Sequence, residues 1–218
     1  MLNWKHIDHV LLDMDGTLLD LNFDNHFWLE FVPSRYAEAN HLTPDQAKAE
    51  LAPRFKAMEG QLEWYCLDYW SHQLKLDIAG LKTELSGLIR ILPHVVEFLE
   101  AVKESGRPLW LVTNAHPDAL AIKMEKTCLM PFFDQIICSH NFNAPKEQQA
   151  FWHALKKDYH LDKTRTLMVD DSLPVLTAAQ QFGIQYLIAV RQPDSGAAKR
   201  DIKNFLAIDD FRALMPVL

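Results

Sequence analysis

Five short apolar runs punctuate the chain: HVLL at 9–12, LWLV at 109–112, QIIC at 135–138, TLMV at 166–169 and YLIAV at 186–190. Each is continuous rather than alternating, as expected of strands covered on both faces. Between the later runs the apolar period changes to that of a helix. Residues 94–105, HVVEFLEAVKES, set Val95, Phe98, Leu99 and Val102 on one face, and Gly106 offers a stop. Residues 172–183 open on Ser172 as an N-cap, carry Pro174 in the first turn and end on Gly183. Strands alternating with helices predict an α/β fold with a doubly wound parallel sheet.

The spacing of the runs is uneven. Thr113 to Lys146 is about one strand–helix unit, and Lys146 to Asp170 is about one more, yet the gap from Asp13 to Thr113 is far longer. Within that gap, residues 22 to 90 hold no convincing buried strand. NHFWLEFVPSRYAEAN, TPDQAKAELAPRFKAMEG, QLEWYCLDYWSHQLKL and GLKTELSGLIRI read as helices, with Thr43-Pro44-Asp45 as a cap and first turn. The pattern predicts a Rossmann-type core from residues 1–20 and 91–218, with an all-helical insertion over 21–90 after the first strand. Such an insertion would stand above the C-terminal edge of the sheet, where α/β proteins bind ligands, and could act as a lid.

Composition narrows the function classes. The 218 residues are 49% hydrophobic and 23% charged, as in an ordinary water-soluble globule with a sizeable core. The net charge of −7 argues against nucleic-acid binding, which wants a basic face. A phosphorylated small molecule stays open, because a local site can invert the global sign. Cys66, Cys128 and Cys138 form neither a metal-binding pair nor a disulfide framework, and they read as buried fillers in a reducing cytoplasm. The opening MLNWKHIDHV lacks the basic-then-apolar layout of a signal peptide, and no run approaches the roughly 18 apolar residues of a membrane span.

The candidate chemistry lies at the strand ends. Val10, Leu11 and Leu12 lead straight into Asp13, with Asp15 two residues on and a turn at Gly16-Thr17. Two carboxylates so close raise each other's pKa, which calls for a cation or a catalytic task. Thr113-Asn114 follows the second run, Lys146 lies in NAPKEQQAF after the third, and Asp170-Asp171-Ser172 follows the fourth. Four separate segments thus deliver polar groups to one edge of the sheet, as a catalytic site requires. His116 and His140 sit just past strand ends, near the same edge. Asp20 and Asp24 read as ordinary turn or cap residues.

In this order, DMDGTLL, TN, K and DDS resemble the four motifs of the haloacid dehalogenase (HAD) superfamily of phosphatases, and the resemblance spans essentially the whole chain. It implies a HAD-like core with a helical cap, and magnesium-dependent hydrolysis of a phosphomonoester through an aspartyl-phosphate. Asp13 would be the nucleophile, and Asp15 the acid toward the leaving oxygen and then the base toward water. Asp13, the Asp15 carbonyl and Asp171 would hold Mg2+, with Asp170 close by. Lys146 would bring positive charge to the phosphate and to Asp13. Thr113 and the backbone near Asn114 and Gly16 would contact the substrate; His116 is a further candidate for that contact only through its place just past a strand end. One departure stands out: many relatives carry an acid four residues after the fourth-motif Asp, where this chain has Val175. The Asp170-Asp171 pair would supply the carboxylates instead.

The insertion is rich in aromatic residues, including Phe27, Trp28, Phe31, Trp64, Tyr65, Tyr69 and Trp70. The plain expectation is a helix-bundle core. The sharper one is that one or two rings stack on a flat ligand such as a nucleobase. DMDGTLLDLNFDNHFW, WYCLDYWS, LVTNAHP and DDSLPVL resemble a bacterial branch of purine 5′-nucleotidases acting on GMP and IMP, which implies a nucleoside monophosphate substrate. A sugar-phosphate phosphatase, a phosphomutase and a non-catalytic binding protein on the same core remain alternatives. Asp15 argues against a haloalkanoate dehalogenase, which does not use a second Asp as acid. The 191–201 segment, RQPDSGAAKRD, reads as a polar loop without an assigned role, and no sequence feature bears on oligomeric state.

Overall fold

The computed structural model describes residues 2–215 and 217. In chain order the elements are β1 (His9–Leu12), α1 (Asn22–His26), a π-helical turn (Phe27–Phe31), α2 (Val32–Asn40), α3 (Pro44–Met58), α4 (Leu62–Tyr65), α5 (Leu67–Leu74), α6 (Ile78–Glu84), α7 (Val95–Glu104), β2 (Leu109–Thr113), α8 (Pro117–Thr127), β3 (Gln135–Cys138), α9 (Gln149–Asp158), β4 (Thr166–Asp170), α10 (Leu173–Phe182), β5 (Tyr186–Val190) and β6 (Leu206–Ile208). The strands form one parallel sheet in the order β3-β2-β1-β4-β5-β6. The five apolar runs are β1 to β5. The sixth strand goes beyond the sequence expectation: it has three residues, at the sheet's edge, and begins on the exposed Leu206.

The continuous apolar runs conceal a two-residue alternation. Val10, Leu12, Leu109, Leu111, Leu167 and Val169 join one hydrophobic cluster with Phe98 and Leu99 of α7 and Met124 of α8. Leu11, Trp110, Val112 and Met168 join the other, with Trp152 of α9 and Leu176 and Phe182 of α10. Successive side chains of a strand point to opposite faces, so both faces must be apolar when helices cover both. This places β1 between β2 and β4 at the centre of the sheet, where the strand order reverses and open α/β sheets bind ligands.

The segment between β1 and α7 is helical in every regular element. Thr43 opens α3 with a capping box: its hydroxyl accepts from Gln46 N–H, and the Gln46 side chain accepts from Thr43 N–H. The aromatic residues pack mainly on each other. The Trp28 ring centroid lies 5.7 Å from Phe55 and 6.0 Å from Trp70, and Trp70 lies 5.0 Å from Phe55. Where the chain enters and leaves this segment, the two paths run side by side. Leu92 N–H donates to the Leu18 carbonyl at 2.9 Å, and Asp20 N–H donates to the Arg90 carbonyl at 2.9 Å. The cysteine expectation needs correcting. Cys138 is buried, but Cys66 is half-buried and its sulfur accepts from Tyr69 N–H, while Cys128 is exposed at the end of α8.

Candidate active site

The turn after β1 shapes one wall of the site. Asp13 N–H still donates to the Val169 carbonyl at 3.0 Å, so its carboxylate is held by the sheet itself. The chain then reverses at Gly16, whose φ of +81° lies in the left-handed region. Gly16 N–H itself donates to the Leu19 carbonyl at 2.7 Å. Its role here is shape: a Cβ would lie 2.7 Å from Asp171 Cγ and 2.9 Å from Pro193 Cβ. Gly16→Ala is therefore expected to cost about 1–3 kcal/mol of stability for the backbone strain alone. Urea denaturation measures that loss, and turnover should fall as Asp171 is displaced.

The neighbouring strands supply the other walls. At the end of β2, the buried Thr113 accepts Ala115 N–H at 3.0 Å on its hydroxyl oxygen. The Asn114 side chain spans two partners: its carbonyl accepts Lys146 N–H at 2.9 Å, and its amide donates to Glu147 at 2.9 Å. Asn114 thereby fixes the segment that carries Lys146. The Lys146 ammonium is 2% exposed and donates to Asp13 Oδ1, to Asp170 Oδ2 at 2.8 Å and to the Val112 carbonyl at 3.0 Å. Burial works against its charge, but Asp13 and Asp170 hold it above the ordinary lysine range. Asp170, at the end of β4, also accepts Ser172 N–H at 2.8 Å, so both its oxygens are engaged.

The electrostatic balance of this group is negative. Asp13, Asp170 and Asp171 each present a carboxylate oxygen within 4.8 Å of the others. Against them stand Lys146 and, 3.9 Å from Asp171 Oδ2, Arg200. Burial raises the Asp13 carboxyl to about 6, despite Lys146. Burial, reinforced by Asp170 and Asp13, lifts Asp171 well above the carboxylate range. Asp15 is likewise raised to about 6 by burial, against the pull of Lys123. A set of hard oxygen donors with surplus negative charge fits a small divalent cation. Asp171 has the least engaged carboxylate of the three and suits direct ligation best, with Asp170 turned toward Lys146.

These groups line a cavity of about 140 Å³, which contains Asp13, Asp15, Thr113, Asn114, Lys146, Asp170 and Asp171 among its walls. Val175, where an acid was absent from the sequence pattern, is an apolar wall residue. His116 is not among them. Its Nδ1 accepts Asp118 N–H as the N-cap of α8, its Nε2 lies 3.6 Å from Asp68 of α5, and its ring meets that of His140. The structure thus sets both histidines beside the cavity rather than on it.

Several participants escape a reading of sequence alone. Tyr65 of α4 departs from the aromatic cluster: it lines the cavity and donates to Glu147 Oε1 at 2.5 Å. The 191–201 loop has a structural task, because Arg200 donates to the Asp171 carbonyl at 2.8 Å and Ser195 pairs with Asp20. Asp24 is more than a helix residue. It joins Asp15, Lys123 and Lys82 in a run of alternating charges whose two lysines are buried.

The haloacid dehalogenase-like hydrolase family matches residues 7–183. The chain is 45% identical over 215 residues to the GMP/IMP nucleotidase YrfG of Escherichia coli (strain K12), covering 99% of this chain and 97% of that protein. It is 26% identical over 215 residues to a phosphoglycolate phosphatase of Agrobacterium fabrum, covering 95% and 91%. Among solved structures, a HAD phosphatase from Thermococcus onnurineus shares the fold with a TM-score of 0.79 at 20% identity, over 95% of this chain and 96% of that one. With its parallel core, its helical segment after β1 and its acids at the ends of β1 and β4, this chain belongs to the family of haloacid dehalogenase-like hydrolases.

Proposed function

We propose that this hydrolase is a magnesium-dependent 5′-nucleotidase that removes the phosphate of purine nucleoside monophosphates such as GMP and IMP. The observation that carries the substrate class is the 45% identity, over nearly the full length of both chains, to a GMP/IMP nucleotidase. The chemistry rests on the residues around the cavity. The Asp13 carboxylate is held by β1 and by Lys146, in position for in-line attack on phosphorus. A bond forms between Asp13 and phosphorus while the bond from phosphorus to the 5′-oxygen breaks. Asp15 passes a proton to that oxygen, and the nucleoside leaves. Water then attacks the aspartyl-phosphate, Asp15 takes its proton, and phosphate is released with Asp13 restored.

Lys146 holds positive charge beside the Asp13 carboxylate throughout, and the Thr113 hydroxyl keeps its own hydrogen to donate to a phosphate oxygen. Asp13, Asp171 and the Asp15 carbonyl would hold Mg2+, which supplies charge neutralisation to the phosphoryl oxygens when bound. The cavity of about 140 Å³ suits a phosphoryl group, while a whole nucleotide needs the several hundred Å³ of a drug-sized pocket. The base and ribose therefore extend toward the helical segment, past Tyr65.

A substrate panel tests this reading. Phosphate release is expected to have its highest kcat/KM on GMP and IMP, and to stop when the divalent cation is chelated. Faster hydrolysis of phosphoglycolate or sugar phosphates would overturn the nucleotide assignment, and full activity after chelation would overturn the metal.

A further inference from the structure

Lys123 lies on α8, away from the motif residues, and its side chain is 2% exposed. Its ammonium donates to Asp15 Oδ1 at 2.6 Å and to Asp24 Oδ2 at 2.7 Å, and it sits 5.4 Å from the centre of the Phe23 ring. Asp24, on α1, accepts a second lysine on its other oxygen: Lys82 of α6, at 2.7 Å. Lys82 is 3% exposed and lies 4.5 Å from the centre of the Phe27 ring. The order is Asp15, Lys123, Asp24, Lys82, with no net charge.

Two buried lysines paired with two half-buried aspartates are an inefficient route to stability, since apolar side chains of similar size often serve better. The run therefore has a role that apolar packing cannot supply. One end is the carboxylate that lines the cavity, and the other is a helix of the inserted segment. Asp13 N–H still bonds to the Val169 carbonyl of β4, whereas Asp15 bridges only to Leu19 within its own turn, so the sheet does not hold its side chain as it holds Asp13.

We propose that Lys123 is a positioning residue for Asp15, fixing the carboxylate that exchanges the proton with the leaving 5′-oxygen, and that Asp24, clamped by Lys82, keeps Lys123 aimed. The inference rests on the reading of Asp15 as proton carrier. The Lys123 ammonium engages Oδ1 and so fixes the plane of the carboxyl group. Its fixed charge also stabilises the carboxylate left after the proton has passed to the departing alkoxide, during formation of the Asp13–phosphorus bond.

The test separates proton delivery from general stability by changing the leaving group. Single-turnover rates of the first step are measured with IMP, whose alkoxide needs the proton, and with p-nitrophenyl phosphate, whose phenolate does not. Lys123→Met should slow nucleoside release about 30-fold, part of the roughly 10²–10⁴-fold that a positioned acid supplies. Release of p-nitrophenolate should stay within about 3-fold of the parent enzyme, because its departure draws little on general acid catalysis. If that variant does not fold, the charge-balanced pair Lys123→Met with Asp24→Asn carries the same measurement. Equal losses on both substrates, unchanged rates on both, or failure of both variants to fold would make the run a structural element and overturn the inference. Asp15→Asn is the separate control. If it retains full nucleoside release, the reading of Asp15 fails, whatever Lys123 does.

Discussion

Replacing Asp13 with Asn is expected to leave a folded protein that releases no phosphate. The amide keeps the volume of the side chain and a carbonyl oxygen to accept from Lys146, so the hydrogen bond across the site survives. What is lost is the anionic oxygen that would bond to phosphorus, and a neutral amide cannot replace it as a nucleophile. Stability should hold or rise. Burial puts the Asp13 carboxyl at about 6, so at neutral pH its charge is held in an environment that disfavours it. A circular dichroism melt and a phosphate-release assay with IMP check the two halves together. Phosphate release at a rate near that of the parent enzyme would eliminate Asp13 as the nucleophile.

Lys146→Met is expected to strike both activity and stability. The lysine is the fully buried cation between Asp13 and Asp170, and methionine cannot donate to either. Removing one partner of a buried ion pair typically costs about 3–5 kcal/mol, because the remaining charge has no compensation. The loss should depend on pH in a definite direction. Without the ammonium, burial raises the folded-state pKa of Asp13 and Asp170 further above their unfolded values. A folded state that binds more protons than the unfolded chain loses stability as pH rises. The variant should therefore be weakest at alkaline pH and recover toward the parent as falling pH protonates the two acids. Urea unfolding at acidic and mildly alkaline pH measures this, and a pH-independent deficit would contradict the electrostatic origin.

How far the sequence anticipates this molecule depends on whether a signal is local. β1 to β5 were legible because strands covered on both faces must be apolar at every position, and each run ends on a polar residue. β6 was not, because three residues at an edge, of which only the last is buried, carry too little pattern. Asp13, Lys146 and Asp170 were legible as candidates because each closes or follows an apolar strand in a recognisable order. Lys123 and Asp24 were not: a lysine in AIKMEKT or an aspartate in NFDNH looks like a solvated helix residue until the fold brings the two together. Tyr65 was lost among its aromatic neighbours for a related reason. Its ring belongs to an apolar sequence pattern, while its hydroxyl reaches Glu147 on a different element. His116 shows the converse, since proximity to a strand end suggested substrate contact while the side chain caps a helix.

The central place of β1 has a consequence for how the molecule is made. Its hydrogen-bonding neighbours, β2 and β4, both come much later in the chain, as do Val169, which accepts the Asp13 N–H, and Lys146, which donates to its carboxylate. Pairings of such long range are slow to form, because the intervening chain must be closed before any contact is gained. During synthesis the first strand and its two acids emerge well before anything exists to shelter them, and the helices that follow can fold locally in the meantime. Asp13, Lys146 and Asp170 therefore come together only once the chain has been made past β4, in the same event that completes the middle of the sheet.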